Sequence, residues 1–299
     1  MSKPDTYATA RGTIAAITEA ARAAAPAMGI KTQDLRGYLI FDRFLVRVFR
    51  DPKRSFVLKG GTRMLAFIPA ARATMDVDLE TTLGLDDAVQ RLSDLVAEDI
   101  GDRLIFRRTG RRDGGSEDQP NLSVARLTFA EEETRVPLKI DLAVHERAGA
   151  ATVTAPPAFR VPLGRSVESA DYLMIAIEQQ IADKAAAMME TRHGGDGRSS
   201  RAKDLVDLAL IATHLSCDAA TLRQTVEWQV RERALAPFQA VNASTSIQTS
   251  YRKAAQRASS ITTDWQEAEA LANRLLSPVL DGSVIEGRWN PRAGAWEAL

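Results

Sequence analysis

Two short segments constrain this chain more than any other feature. In "MDVDLE", residues 75–80, polar and apolar residues alternate, and "LKIDLAV", residues 138–144, alternates in the same way. A period of two is the signature of a β-strand, and residues two apart share a face. Asp76 and Asp78 therefore point the same way. In the second segment Leu138, Ile140, Leu142 and Val144 form an apolar face, and Lys139 and Asp141 share the polar one. The fold must contain a sheet with one covered face and one polar face that carries acids.

The segments around these strands alternate between helical and extended patterns. Residues 8–24 read as a helix ended near Pro26 and Gly29, and residues 32–49 as a second, with Thr32 as its N-cap. "SFVLKGG" is a short apolar strand stopped by glycines, "TRMLAFI" a helix, and "GLDDAVQRLSDLVAEDI" another helix. "RLIFRRTGRRDGGSEDQP" reads as a strand followed by a charged, glycine-rich hairpin or loop. "NLSVARLTFAEEETRVPLKIDLAVHE" holds two strands joined by an acidic turn. The order to residue 146 is α, α, β, α, β, α, β, β, β, which argues for an α/β or α+β sheet domain.

From about residue 167 the pattern is helical: "SADYLMIAIEQQIADKAAAMMETR", "RAKDLVDLALIATHL", "CDAATLRQTVEWQVRER" and "TTDWQEAEALANRLLSPVL". The proline-rich "ATVTAPPAFRVPLGRS" marks the boundary, giving a first domain over 1–160 and a mainly helical one over 161–299. "GRWNPRAGAW" reads as irregular chain anchored by Trp289 and Trp296.

Composition narrows the function classes. The 299 residues carry 39 basic and 39 acidic side chains, so nucleic acid could be held only by a local basic patch. Two such clusters exist: Arg103, Arg107, Arg108, Arg111 and Arg112, with Asp102, Asp113 and Glu117 as counter-charges, and Arg192, Arg198, Arg201 and Lys203, closer to the site proposed below. Cys217 is the only cysteine, which excludes an intrachain disulfide and suits a reducing cytoplasm. His145, His193 and His214 are too scattered for a zinc pairing. The alanine-rich N-terminal stretch contains Arg11, Glu19 and Arg22, which fits an amphipathic helix better than a signal peptide. No stretch approaches the ~18 apolar residues that span a membrane.

The chemistry sits on the acid-bearing strands. Asp76 and Asp78 alone suit a solvent-facing strand edge as well as a metal site. If the 138–144 strand lies beside them, Asp141 completes a three-carboxylate cluster that is repulsive without a cation. Such a set of hard oxygen ligands fits Mg²⁺ and in-line displacement at phosphorus. Gly60–Gly61–Thr62 stands between a strand and a helix. It is either an ordinary turn or a phosphate cradle built from backbone N–H groups, the Thr62 hydroxyl and Arg63. The spacing of a Walker A loop is absent.

Taken together, "FVLKGGT", "ARATMDVDLE", "KIDLAV", "IADKAAAMMETR" and "SRAKDLVDLALI" resemble the AbiEii/AbiGii toxin family, over about residues 35–215. That family includes the MenT nucleotidyltransferase toxins of bacterial toxin–antitoxin systems, within the superfamily of the DNA polymerase β type. The resemblance implies an α+β protein, a nucleotidyltransferase-type mixed β-sheet domain with flanking helices followed by a helical C-terminal domain that completes the active site. It implies that Gly60, Gly61 and Thr62 cradle phosphates, that Asp76 and Asp78 hold metal, that Asp141 is the third acid, and that Arg72 and Thr74 lead into the acidic pair. By the same resemblance Lys184, six residues after Glu178, faces the triphosphate, and Asp204 is the acid of the last motif, with Asp207 one turn on. The implied activity is Mg²⁺-dependent transfer of NMP from an NTP to RNA, foremost the 3′ end of tRNA, in the cytoplasm. It blocks translation and is countered by a cognate antitoxin. A protein hydroxyl as acceptor, or nucleotide binding without turnover, would use the same residues.

Overall fold

The acid-bearing segments are neighbouring strands. In the computed structural model β2 (Asp76–Thr81) and β5 (Pro137–His145) run parallel, with Asp78 in register with Asp141 and Asp76 with Lys139. The structure describes residues 6–69, 71, 72, 74, 76–116, 119–145, 151–190, 199–258 and 261–298, with backbone alone at 115, 116 and 119–122. The chain divides into two units, Met1–Ile175 and Ala176–Leu299.

The first unit follows the expected order: α1 (Ala10–Met28), α2 (Thr32–Phe49), β1 (Val57–Lys59), α3 (Gly60–Phe67), β2, α4 (Leu85–Val96), β3 (Phe106–Ser116), β4 (Gln119–Glu131) and β5. Two further strands, β6 (Thr152–Ala155) and β7 (Tyr172–Ile175), complete a seven-stranded mixed sheet in the order β3-β4-β5-β2-β1-β7-β6. The apolar face reads Val77, Leu79, Ala125, Leu127, Phe129, Leu138, Ile140 and Leu142, all essentially buried. Helices α2 and α4 pack on this unit's core.

Helix α1 starts at Thr9, whose hydroxyl accepts the Gly12 N–H, and runs through Pro26 to Gly29, which takes the left-handed conformation of a C-cap. On α2 the charged side chains turn inward. Arg43 Nε donates to Asp102 Oδ2 at 2.7 Å and Arg47 Nη2 to Asp102 Oδ1 at 2.5 Å, with Asp102 fully buried. Burial would raise the Asp102 carboxyl, but the two guanidiniums hold it below the usual range. Asp102, expected as a loop counter-charge, is thus a buried tie between α2 and the chain leading into β3.

Several elements differ from expectation. Tyr172–Ile175, expected inside a long helix, is strand β7, because Leu58 of β1 offers Met174 a parallel partner on the sheet. Non-local pairing here overrides local helical spacing. Of the hairpin or loop expected for the glycine-rich 110–116 stretch, the structure has the hairpin, with that stretch as the outer part of β3 paired to β4. The C-terminal segment is a hairpin, β8 (Arg288–Asn290) with β9 (Ala295–Glu297), in which Trp289 and Trp296 face each other edge-on at 5.6 Å.

The second unit is mainly helical: α5 (Ile177–Met189), α6 (Ala202–His214), α7 (Ala219–Glu232), α8 (Gln248–Ala255) and α9 (Trp265–Leu280), followed by the hairpin. Leu205, Val206, Leu208, Leu210 and Ile211 bury α6 on all sides. Trp289 Nε1 donates to Ala212 O at 2.8 Å and Trp296 Nε1 to Leu275 O at 3.0 Å, so both tryptophans do anchor the tail. Among the described residues no helix is long and apolar enough to cross a membrane.

Candidate active site

The strand β1 delivers Lys59 beside Asp78, and the chain then turns directly into α3. Gly60 makes that turn with φ +66°, where side chains are strained. A Cβ on Gly60 would lie 1.9 Å from Asp78 Oδ2, and one on Gly61 would lie 2.8 Å from Thr74 Oγ1. The paired glycines are thus required by the acidic strand itself, which presses against the start of α3. The Gly61 N–H, one of the unsatisfied donors of the helix N-terminus, donates to Asp78 Oδ2 at 3.2 Å.

Thr62 and Arg63 do not offer their side chains to a ligand. Both are 1 % exposed. The Thr62 hydroxyl donates to the Asp76 carbonyl at 2.8 Å and so pins α3 to β2. Arg63 Nε donates to Ile175 O at 3.0 Å, and its guanidinium stacks 4.5 Å from the Phe67 ring centre. The expectation that these two side chains cradle phosphates is corrected accordingly: they brace the motif from inside. Thr74, buried ahead of β2, has a more direct part than a lead-in. Its hydroxyl donates to Asp76 Oδ1 at 2.7 Å and fixes that carboxylate. A hydroxyl two residues before an acid is the signal that could have shown this. Arg72 is half-buried beside the same segment.

Asp76, Asp78 and Asp141 therefore lie on one face of two adjacent strands. Burial pushes the Asp78 carboxyl up to about 6; Asp76, and less so Asp141, push the same way, against Lys59 and the Gly61 N–H. Burial and then Asp76 also raise Asp141, against Arg126 and Lys139. The nearest cation to Asp141 is Arg126 Nε, at 3.8 Å, and Arg126 is 76 % exposed. Among the described residues no three acids or histidines are gathered into a finished metal cage. The donor set nonetheless fits a hard cation: its ligating atoms are all carboxylate oxygens, and their mutual repulsion is what a divalent ion would relieve.

Lys184 and Asp204 lie in the second unit. Lys184, on α5, is 6 % exposed, with Nζ 3.0 Å from Asp204 Oδ1 and 2.6 Å from Asp207 Oδ2 on α6. Arg201 Nε reaches Asp204 Oδ2 at 2.5 Å. Burial would raise Asp204, but Lys184 and Arg201 outweigh it and bring it down to about 2. The structure thus groups Lys184, Asp204 and Asp207 into one compensated ionic core. Arg192, His193 and Arg198 fall outside the described residues.

Comparison with known proteins gives the family and the fold. The profile of the AbiEii nucleotidyl transferase toxin family, of type IV toxin–antitoxin systems, matches residues 43–273. The structure is similar to MenT4, a nucleotidyltransferase toxin of Mycobacterium tuberculosis H37Rv, at 15% identity over 90% of this chain and 89% of that chain, with a TM-score of 0.52. It is also similar to JHP933 from Helicobacter pylori, at 13% identity over 85% of this chain and 96% of that chain, with a TM-score of 0.47. The first of these likenesses is one of fold. No curated protein matches in sequence.

Proposed function

The chain belongs to the AbiEii family of nucleotidyl transferase toxins of type IV toxin–antitoxin systems, and from that premise we propose that it transfers NMP from an NTP to RNA, foremost the 3′ end of tRNA, with Mg²⁺. The observation that carries the reading is the register of Asp78 opposite Asp141, with the start of α3 turned onto Asp78.

Asp76 and Asp78 would hold the cation, with Thr74 keeping the Asp76 carboxylate in place. When bound, a divalent ion supplies charge neutralisation at the α-phosphate and at the departing pyrophosphate. The protein's own residues supply the rest. The acceptor hydroxyl oxygen attacks the α-phosphorus, the bond to pyrophosphate breaks, and the hydroxyl proton passes to an Asp141 carboxylate oxygen. Gly60 and Gly61 let the NTP phosphates approach the backbone at the start of α3, where positioning and electrostatics do most of the catalysis. Lys184 and Asp204 enter this reading as the ionic core of the helical unit, since the ammonium already faces two carboxylates.

The test is incubation of the purified protein with each α-labelled NTP, Mg²⁺ and total tRNA. Label should move to RNA, and Asp78→Ala should abolish both the transfer and growth inhibition in cells. Label on a protein band would replace the RNA acceptor with a protein hydroxyl. Nucleotide binding without release of pyrophosphate would make the chain a regulator instead.

A further inference from the structure

One register line crosses five strands of the sheet. Lys59 of β1 pairs with Asp78 of β2, Asp78 with Asp141 of β5, Asp141 with Arg126 of β4, and Arg126 with Arg112 of β3. All five side chains therefore lie on the polar face. The line changes sign once it leaves the acids: beyond Asp141 it carries two arginines and no acid.

The arginine pair is unusual on its own terms. Like charges directly opposite on adjacent strands destabilise a sheet. Two other arginines of β3, Arg107 and Arg111, are neutralised. Arg111 faces Leu127 on the opposite side of the sheet and pairs with Asp86 and Asp113, and Arg107 pairs with Glu132. Arg112 is exposed and has no ion pair or hydrogen bond among the described residues. Among the described residues Arg126 has only its 3.8 Å approach to Asp141. On the polar face of β3 the residues flanking Arg112 are Gly110 and Gly114, which pair with Thr128 and Val124. Arg112 thus stands alone on a low surface, open to a bulky ligand. Strand spacing puts it about 10 Å from Asp141.

We propose that Arg126 and Arg112 form a phosphate track for the acceptor, resting on the reading of the site as an RNA-directed transferase. The backbone of the RNA strand crosses β5, β4 and β3 at right angles to the strands, one phosphate on each guanidinium, and leaves its terminal hydroxyl at Asp141. Guanidiniums hold phosphates through paired N–H donors, and the same anions remove the repulsion between the two arginines. Both are positioning residues.

The experiment measures binding of fluorescein-labelled total tRNA as a function of salt. Each phosphate contact contributes about 0.7–0.9 to the slope of log affinity against log salt. Arg112→Gln and Arg126→Gln should each lower the slope by about that amount. Each should also raise the KM for tRNA more than it lowers kcat. Arg112→Lys should retain most of the slope, and Arg111→Gln, on the other face, all of it. Arg112 is exposed, so its variants should fold; thermal melts check this. Unchanged slopes in Arg112→Gln and Arg126→Gln, with RNA still labelled by the wild type, overturn the track and leave the RNA acceptor standing. A wild type that neither binds nor labels RNA removes both.

Discussion

Asp78 on β2 and Asp204 on α6 are both largely withdrawn from water, yet their carboxyls titrate at opposite ends of the carboxylate range, about 6 and about 2. Burial acts in the same direction on both. The difference lies in the company each keeps. Asp204 meets Lys184 and Arg201, while Asp78 meets Asp76 and Asp141 with Lys59 as the main counterweight. The helical unit closes its acids into ion pairs and gains a rigid core. The sheet leaves its acids repelling one another, a cost that persists until a cation arrives. In the proposed reading the acids beside the start of α3 carry the chemistry, whereas the compensated set serves structure.

The most damaging way to break the comparison is at Gly60. Gly60→Ala puts a methyl where Asp78 Oδ2 now sits, at a left-handed φ. Nucleotidyl transfer should fall by on the order of 100-fold or more, since displacements of about 1 Å cost that much. A transfer assay beside a urea melt separates this loss from unfolding. Next comes Lys184→Met, which removes the buried cation that Asp204 and Asp207 share. The expected destabilisation is about 3–5 kcal/mol, read by urea denaturation, and it should far exceed that of any single change among Asp76, Asp78 and Asp141.

The pH dependence of stability should run in opposite directions at the two sites. Asp78 has a raised folded-state value, so its contribution is fully present below about pH 4, the unfolded value, and is lost as pH rises through about 6. Asp204 has a lowered one, so its contribution is present above about pH 4 and is lost as pH falls towards 2. Asp78→Asn should therefore gain on the wild type between pH 4 and pH 7, by on the order of 2 kcal/mol. Mg²⁺ at pH 7 should raise the wild-type Tm and leave that of Asp78→Asn nearly unmoved. Urea melts at four pH values check the first statement and scanning calorimetry the second.

Two smaller effects sharpen the contrast. Thr74→Val removes the donor to Asp76 and should lower kcat about tenfold, for about 1 kcal/mol of stability. Arg201→Gln removes the more exposed of the two cations on Asp204, at 38 % side-chain exposure, and should cost under about 1 kcal/mol with transfer retained.

Much of this was legible in the residues. The alternation around Asp76, Asp78 and Asp141 is local and strong, so strand type and facing followed from it, as did the element order to residue 146. Helices α5, α6, α7 and α9 of the second half were likewise marked by their spacing, whereas α8 was not. Strand β7 was not, because "YLMI" reads equally well as helix until β1 supplies a pairing partner. The inward turn of Thr62 and Arg63 was hidden for the same reason: a hydroxyl and a guanidinium look available until the carbonyls of Asp76 and Ile175 are brought to them.

By itself, then, the sequence determined which residues could carry chemistry and which face of each strand they occupy, since a period of two needs no tertiary information. Only the tertiary structure decided their partners. It set Asp78 between Lys59 and Asp141, drew Lys184 onto Asp204 and Asp207, and laid Arg126 and Arg112 in line with the acids. The physical reason is that register and burial set the charge a carboxylate feels, and both depend on residues distant in the chain.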